Sequence, residues 1–134
     1  MKIEKRKINF EDDRGKIIDI FFQKSVQHAT IIYSKKGSVR GNHYHKKTTQ
    51  IDFIVSGRMR VLVQKIGEED VSQAVVSKND LITYEPSEAH AFIAEEDTIF
   101  VTFANGPRGG ENYESDTFRL DIPLQDKSVT RLIS

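Results

Sequence analysis

Apolar and polar positions along this chain alternate with period two, over runs of six to eight residues, and Gly, Asn, Asp or Pro break each run. Such a rhythm belongs to strands whose successive side chains face opposite sides of a sheet. Residues 2–9 read as an edge strand. A polar turn, Glu11-Asp12-Asp13-Arg14-Gly15, leads into an apolar strand at Lys16–Phe22, so a hairpin is expected at the start of the chain. His28–Tyr33 is β-branched and apolar, and Lys35-Lys36-Gly37 turns the chain toward its densest chemistry. There His43 and His45, one residue apart, send both imidazoles to one face.

Further strands follow at Gln50–Val55, Arg58–Val63, Val71–Val76 and Leu81–Tyr84, and then Ala89–Ala94 and Thr98–Ala104, expected to pair with each other. Ser56-Gly57 reads as a two-residue hairpin turn, which would pair Val55 with Arg58, Phe53 with Arg60 and Gln50 with Val63. In that register Gln50, Asp52, Ile54, Met59, Val61 and Val63 share one face, and Ile51, Phe53, Val55 and Leu62 share the other with Arg58 and Arg60. Both faces carry apolar residues. One should line an interior, and the other should be covered by the N-terminal strands or by a second copy of the chain, so a homodimer is expected. After Ala104 come a glycine loop, Gly106–Gly110, whose Pro107–Gly110 stretch is a candidate lid, and an alternating strand within Tyr113–Leu124. No 3.6-residue periodicity lasts three turns, and strands recur every 8–12 residues, so the chain is expected to be all-β, a sandwich or a barrel.

Composition narrows the function classes. At 134 residues the chain is expected to form one domain, with its core at about 14–104 and a C-terminal loop and strand at 105–134. Lys+Arg and Asp+Glu both number 20, so no net field draws the protein to nucleic acid or to an anionic membrane. The chain has no cysteine, which removes disulfides, thiolate metal centres and thiol nucleophiles; a metal would need imidazole, carboxylate or amide ligands. The charged start resembles no signal peptide and no run suffices for a membrane span, so a soluble cytoplasmic protein is expected.

The spacing Gly37, five residues, His43-x-His45, four residues, Gln50, six residues, Gly57 resembles the first motif of the cupin superfamily, with glutamine where a metal-binding glutamate usually stands. A diluted second motif follows: Asn79-Asp80, Glu85-Pro86-Ser87 and His90, with Ala94 in place of its closing asparagine. The resemblance, over about residues 14–104, implies a double-stranded β-helix, or jelly-roll barrel, with its site inside. Two phrases, Asp13-Arg14-Gly15 and Arg40-Gly41-Asn42-His43-Tyr44-His45-Lys46, resemble the sugar-nucleotide branch, the dTDP-4-keto-6-deoxyglucose 3,4-ketoisomerases and the dTDP-4-dehydrorhamnose 3,5-epimerases.

What the resemblance implies is an isomerase or epimerase of a keto-deoxy sugar, with His43 and His45 as acid–base groups and Arg40 and Arg14 as anion-holding, substrate-binding neighbours; Asp52, two residues beyond Gln50 and on its face, is placed to orient one imidazole or to hold a sugar hydroxyl. Tyr33 is a weak counterpart of the active-site tyrosine of these enzymes. Moving a carbonyl from C4 to C3 means removing the C3 proton and delivering one at C4 through an enediol, work suited to an imidazole titrating near neutrality. Two alternatives use the same residues. One is a metal-dependent cupin, a dioxygenase or isomerase, with one Fe, Ni, Mn or Zn on His43, His45, Gln50 and His90; the other is a non-catalytic sugar-binding cupin.

Overall fold

A computed structural model describes residues 1–112 and 114–133. Its strands are β1 (Lys2–Lys5), β2 (Phe10–Asp12), β3 (Gly15–Ile17), β4 (His28–Ser34), β5 (Val39–Tyr44), β6 (Thr49–Ser56), β7 (Arg58–Lys65), β8 (Ser72–Ser77), β9 (Asp80–Tyr84), β10 (Glu88–Ala94), β11 (Thr98–Asn105), β12 (Phe118–Arg119) and β13 (Arg131–Ile133). One turn of 3₁₀ helix at Leu124–Asp126 is the only helix among the described residues, and none there is long and apolar enough to cross a membrane. A five-stranded sheet in the order β1-β9-β6-β11-β4 faces a six-stranded sheet in the order β12-β5-β10-β7-β8-β13, while β2 and β3 form a separate hairpin. Two opposed, mostly antiparallel sheets with a shared interior make the jelly roll that the sequence implies.

The expected pairings differ from those found. β6 pairs with β9 and β11, whereas β7 pairs with β8 and β10, so residues 50–63 form a corner between the sheets rather than a hairpin. Gly57 is needed there for another reason: at φ +94, a Cβ on it would stand 2.5 Å from the Asp97 carbonyl and 2.6 Å from Thr98 Cα. Nor do β10 and β11 pair with each other; they lie in opposite sheets. The N-terminal hairpin is β2–β3, its turn at Asp13-Arg14, and β1 instead runs along β9 at the sheet edge. The alternating strand expected in 113–124 reduces to β12; Tyr113 lies outside the described residues.

The sorting of faces holds although the hairpin does not, because strand alternation is independent of partner choice. Ile54, Met59, Val61, Val63, Val76, Ile82, Tyr84, Phe92 and Phe100 pack into one interior cluster. On the outer side of the five-stranded sheet, Ile51, Phe53 and Leu81 are covered by Ile18, Ile20 and Phe21 of the N-terminal segment. Outside the other sheet, Leu62, Ala89 and Ala91 pack on Leu124 and Leu120 of the tail. Much of the cover expected from a second copy therefore comes from the chain itself.

Strand register also grades the interior. Across β6, β11 and β4 the aligned rows read Ile54–Phe100–Ile32, then Asp52–Thr102–Thr30, then Gln50–Ala104–His28. Rows two residues apart are about 7 Å apart along the strands, so the interior passes from apolar to polar within two steps. The polar end opens into a cleft.

Candidate functional site

Three histidines converge at that polar end. The ring centroids of His43 and His45 lie 4.9 Å apart, those of His43 and His90 4.9 Å, and those of His45 and His90 5.4 Å. Their ligand nitrogens all fall within 4.8 Å of one another. β5 and β10 achieve this by direct pairing, His43 opposite His90, with a bulge immediately after His90. Gly41 permits the bulge: at φ +90, a Cβ on it would stand 2.6 Å from the His90 carbonyl oxygen.

Backbone carbonyls set two of the tautomers. His45 Nδ1 lies 2.9 Å from the Asp116 carbonyl oxygen, and His90 Nδ1 lies 3.1 Å from that of Glu88. A carbonyl only accepts, so both Nδ1 atoms carry hydrogen, and each neutral ring presents a bare Nε2. Both Nε2 atoms are buried without a partner, as is His43 Nδ1. Burial, followed by the charges of His45, Arg108 and Arg119, lowers the His43 pKa to about 3. Burial likewise lowers His45, although the Asp116 carbonyl and the Gln50 amide pull it partly back, and it lowers His90 well below the ordinary range, with His43 and His45 adding to the effect. Burial thus favours the neutral form of all three rings.

Gln50 is oriented from behind. Its Nε2 donates to Asp52 Oδ1 at 3.1 Å, and Thr102 Oγ1 donates to the same oxygen at 2.7 Å. With the amide nitrogen engaged, Gln50 Oε1 is left buried and unpartnered beside the histidines. Asp52 is 0 % exposed, and burial raises its pKa to about 6 despite the two donors. It stands outside the cleft lining and against the Gln50 amide, which favours an orienting role over a contact with a sugar hydroxyl.

The cleft in front of these groups is lined by His28, Thr30, Arg40, Gly41, His43, Gln50, Ala104 and the Arg108–Gly110 loop, among others. Of the three clustered histidines only His43 reaches its wall. Arg40 stands at the expected rim, its Nε donating to Ser34 Oγ at 2.8 Å and its Nη2 to the Tyr33 carbonyl at 3.1 Å. Arg14 lies outside the cleft. It sits on the β2–β3 turn with its side chain 85 % exposed, paired with Asp12 at 2.7 Å. Tyr33 is exposed, its backbone carbonyl rather than its phenol turned toward Arg40.

Three contributors were absent from the sequence reading. Asp116, in the tail, accepts from the Lys46 and Lys47 amides at 3.0 and 2.9 Å and from Thr48 Oγ1 at 2.8 Å, while its own carbonyl holds His45. Partial burial would raise its pKa, but these donors outweigh that and lower it. Arg108 and His28 enter the cleft wall from segments far from the motif. Only the glycines around Arg108 gave any prior signal, and His28, the fourth histidine, gave none.

A jelly-roll barrel with a three-histidine, one-glutamine centre inside it is a cupin-type architecture. The sequence model of the polysaccharide biosynthesis C-terminal domain family matches residues 10–118, and the chain belongs to that family. Among solved structures it is similar to a 3,4-ketoisomerase from Helicobacter canadensis, with TM-score 0.74 and 17% identity over 89% of this chain and 90% of that one. It is also similar to dTDP-4-dehydrorhamnose 3,5-epimerase from Sulfolobus tokodaii, with TM-score 0.70 and 24% identity over 81% of this chain and 72% of that one. A third likeness is to the capsular polysaccharide assembling protein CapF from Staphylococcus aureus, with TM-score 0.64 and 20% identity; 87% of this chain covers only 34% of that larger protein. At these identities the likenesses establish the fold. A search of curated proteins returns no match.

Proposed function

We propose that the protein is an isomerase or epimerase of a nucleotide-linked 4-keto-deoxy sugar in the cytoplasm. The observation that carries this reading is the imidazole of His43, kept neutral by burial, standing in the wall of a cleft also lined by Arg40 and Arg108. A neutral imidazole removes a proton from carbon beside a carbonyl, and a guanidinium fork suits the diphosphate that tethers the sugar. The likeness to a 3,4-ketoisomerase and a 3,5-epimerase supports the same chemistry. His43 is the base in this reading; His45 and His90, recessed behind it, fix its position. Incubation with dTDP-4-keto-6-deoxyglucose in heavy water, followed by proton NMR, tests it. Deuterium should enter at C3 or C5 and should not in His43→Gln. Binding without exchange in the wild type would leave only a sugar-binding protein.

The homodimer belongs to the same proposal. The β2–β3 hairpin joins neither large sheet, and its cross-strand pair Phe10 and Ile17 is 52% and 59% exposed. A lone two-stranded hairpin is marginal in water. Ile31 and Tyr33 on the edge strand β4 are also exposed. A second copy packed against these surfaces would bury them and give Arg14, at the hairpin tip, a route to the partner's cleft. Sedimentation of the wild type against Phe10→Asp checks it; two monomeric samples would refute it.

A second reading is favoured by one observation: His43 Nδ1, His45 Nε2, His90 Nε2 and Gln50 Oε1 are all buried without partners. Such orphaned polar atoms are costly unless something engages them, and the donor set of three imidazoles and an amide oxygen fits Zn²⁺, Fe²⁺, Ni²⁺ or Mn²⁺. When bound, such an ion would polarise a carbonyl oxygen. Elemental analysis of protein purified without chelator, with His90→Ala as control, distinguishes the readings: stoichiometric metal, lost in the variant, supports this one.

A further inference from the structure

We propose that His28 is the second proton-transfer group of the site, protonating the enediolate from the wall opposite His43. This inference rests on the isomerase or epimerase reading. Such a reaction needs two proton transfers, and when they fall on opposite faces of the sugar, one base cannot serve both. Among the described residues lining the cleft, the titratable side chains are His28, Arg40, His43 and Arg108. Arginine does not release its proton in a protein, so His28 is the one remaining candidate in that lining. His45 and His90 stand behind His43, and their Nδ1 hydrogens are already committed to backbone carbonyls. Asp52 and Tyr84 are fully buried and stand outside that lining.

The fold places His28 suitably. His43 projects from β5 in the six-stranded sheet, and His28 from β4 in the other. In the cross-strand row Gln50–Ala104–His28, the residue between Gln50 and His28 is an alanine. Two strand spacings separate the outer members, about 10 Å, and the small methyl between them leaves a floor on which a sugar ring can sit. Gly109 closes the other side of His28, since a Cβ there would fall 2.5 Å from the imidazole ring; the ring is packed rather than free to swing out.

The step balances without an oxidant. His43 takes the proton from the carbon beside the carbonyl; that C–H electron pair forms the C=C bond, and the carbonyl oxygen takes the charge. The enediolate then draws a proton from the His28 imidazolium onto carbon, on the face opposite the departure: on the same carbon this re-forms the carbonyl and inverts the centre, and on the former carbonyl carbon the neighbouring hydroxyl becomes the new carbonyl as its proton passes to the former carbonyl oxygen. His43 is left protonated and His28 neutral, and exchange with water resets both.

The experiment compares wild type, His28→Gln, His28→Phe and His43→Gln on dTDP-4-keto-6-deoxyglucose in heavy water, reading deuterium in recovered substrate separately from product formed. Removing a general acid costs about 100-fold or more. Both His28 variants should lose product by that factor and still wash deuterium into the substrate carbon beside the carbonyl within about threefold of wild type, whereas His43→Gln should lose both. Retention of product formation in either His28 variant would overturn the inference. So would parallel loss of exchange and product, which a packing role against Gly109 predicts. No exchange even in the wild type would remove the isomerase reading itself, and this inference with it.

Discussion

Replacing Gly41 by alanine tests how the histidine cluster is assembled. The residue sits at φ +90, where an L side chain is disfavoured by about 1–2 kcal/mol, and its new Cβ would meet the His90 carbonyl oxygen at 2.6 Å and Ala91 Cα at 3.2 Å. Both obstacles are backbone, so no rotamer change relieves them, and overpacking of this kind costs about 1–3 kcal/mol. The less flexible unfolded chain returns about 0.4–1 kcal/mol. The net expectation is a loss of about 2–4 kcal/mol. Gly67 supplies the control, because its φ is also +90 and nothing lies within 4 Å of its Cβ position. Gly67→Ala should therefore carry the conformational cost alone. Urea unfolding of both variants, with equal m-values, isolates the steric part as their difference, and imidazole ¹⁵N spectra should show His43 and His90 shifted only in Gly41→Ala. Equal destabilisation of the two variants would refute the bulge as the device that sets His43 against His90.

The buried ionisable groups predict an opposed pH dependence. His43, lowered to about 3, binds its proton less readily in the folded state than its unfolded value of 6.5 implies, so stability falls as pH drops below 6.5, and His45 and His90 act in the same direction. Asp52, raised from 3.8 to about 6, acts oppositely: its contribution is fully present below about 4 and is lost as pH rises through 6. Asp52→Asn should therefore steepen the acid loss between pH 4 and 6 by about one proton, roughly 1.4 kcal/mol per pH unit, in urea titrations run with chelator; parallel curves would contradict it. Leu124→Ala opens a cavity beneath the tail beside Leu62 and Ala89 and should cost about 2–5 kcal/mol by the same assay, so a loss under 1 kcal/mol would mean the tail is no true cover. Asp116→Ala removes the acceptor of the Lys46, Lys47 and Thr48 donors and should cost about 1–3 kcal/mol. Its His45 should then lose the Nδ1–H tautomer in ¹⁵N spectra, and an unchanged tautomer would show that the backbone alone holds Asp116 in place.

What the sequence carried and what it hid divide along one physical line. Alternation reports which side of a sheet a residue faces, and so Gln50, Asp52, Ile54, Met59, Val61 and Val63 could be assigned to one common face from their spacing alone, and that face is the interior one. Alternation says nothing about which strand lies beside which. In a jelly roll most consecutive strands belong to opposite sheets, so Ser56-Gly57, read as a hairpin turn, proved to be a corner where glycine yields to the Asp97–Thr98 backbone. The His43–His45 pair and His90 were legible because their spacing is rigidly tied to β5 and β10. Asp116, Arg108 and His28 were not, because each reaches the site through a contact between segments far apart in the chain: Asp116 lies 71 residues from His45, and His28 touches the site only through the β4–β11–β6 register. Asp52 shows a subtler limit. Its face follows from its spacing, but the choice between orienting a neighbour and meeting a sugar hydroxyl does not, because the same face holds both the cleft wall and the layer behind it. Depth along the barrel decides between them, and depth is set by the register of strands that the local pattern leaves free.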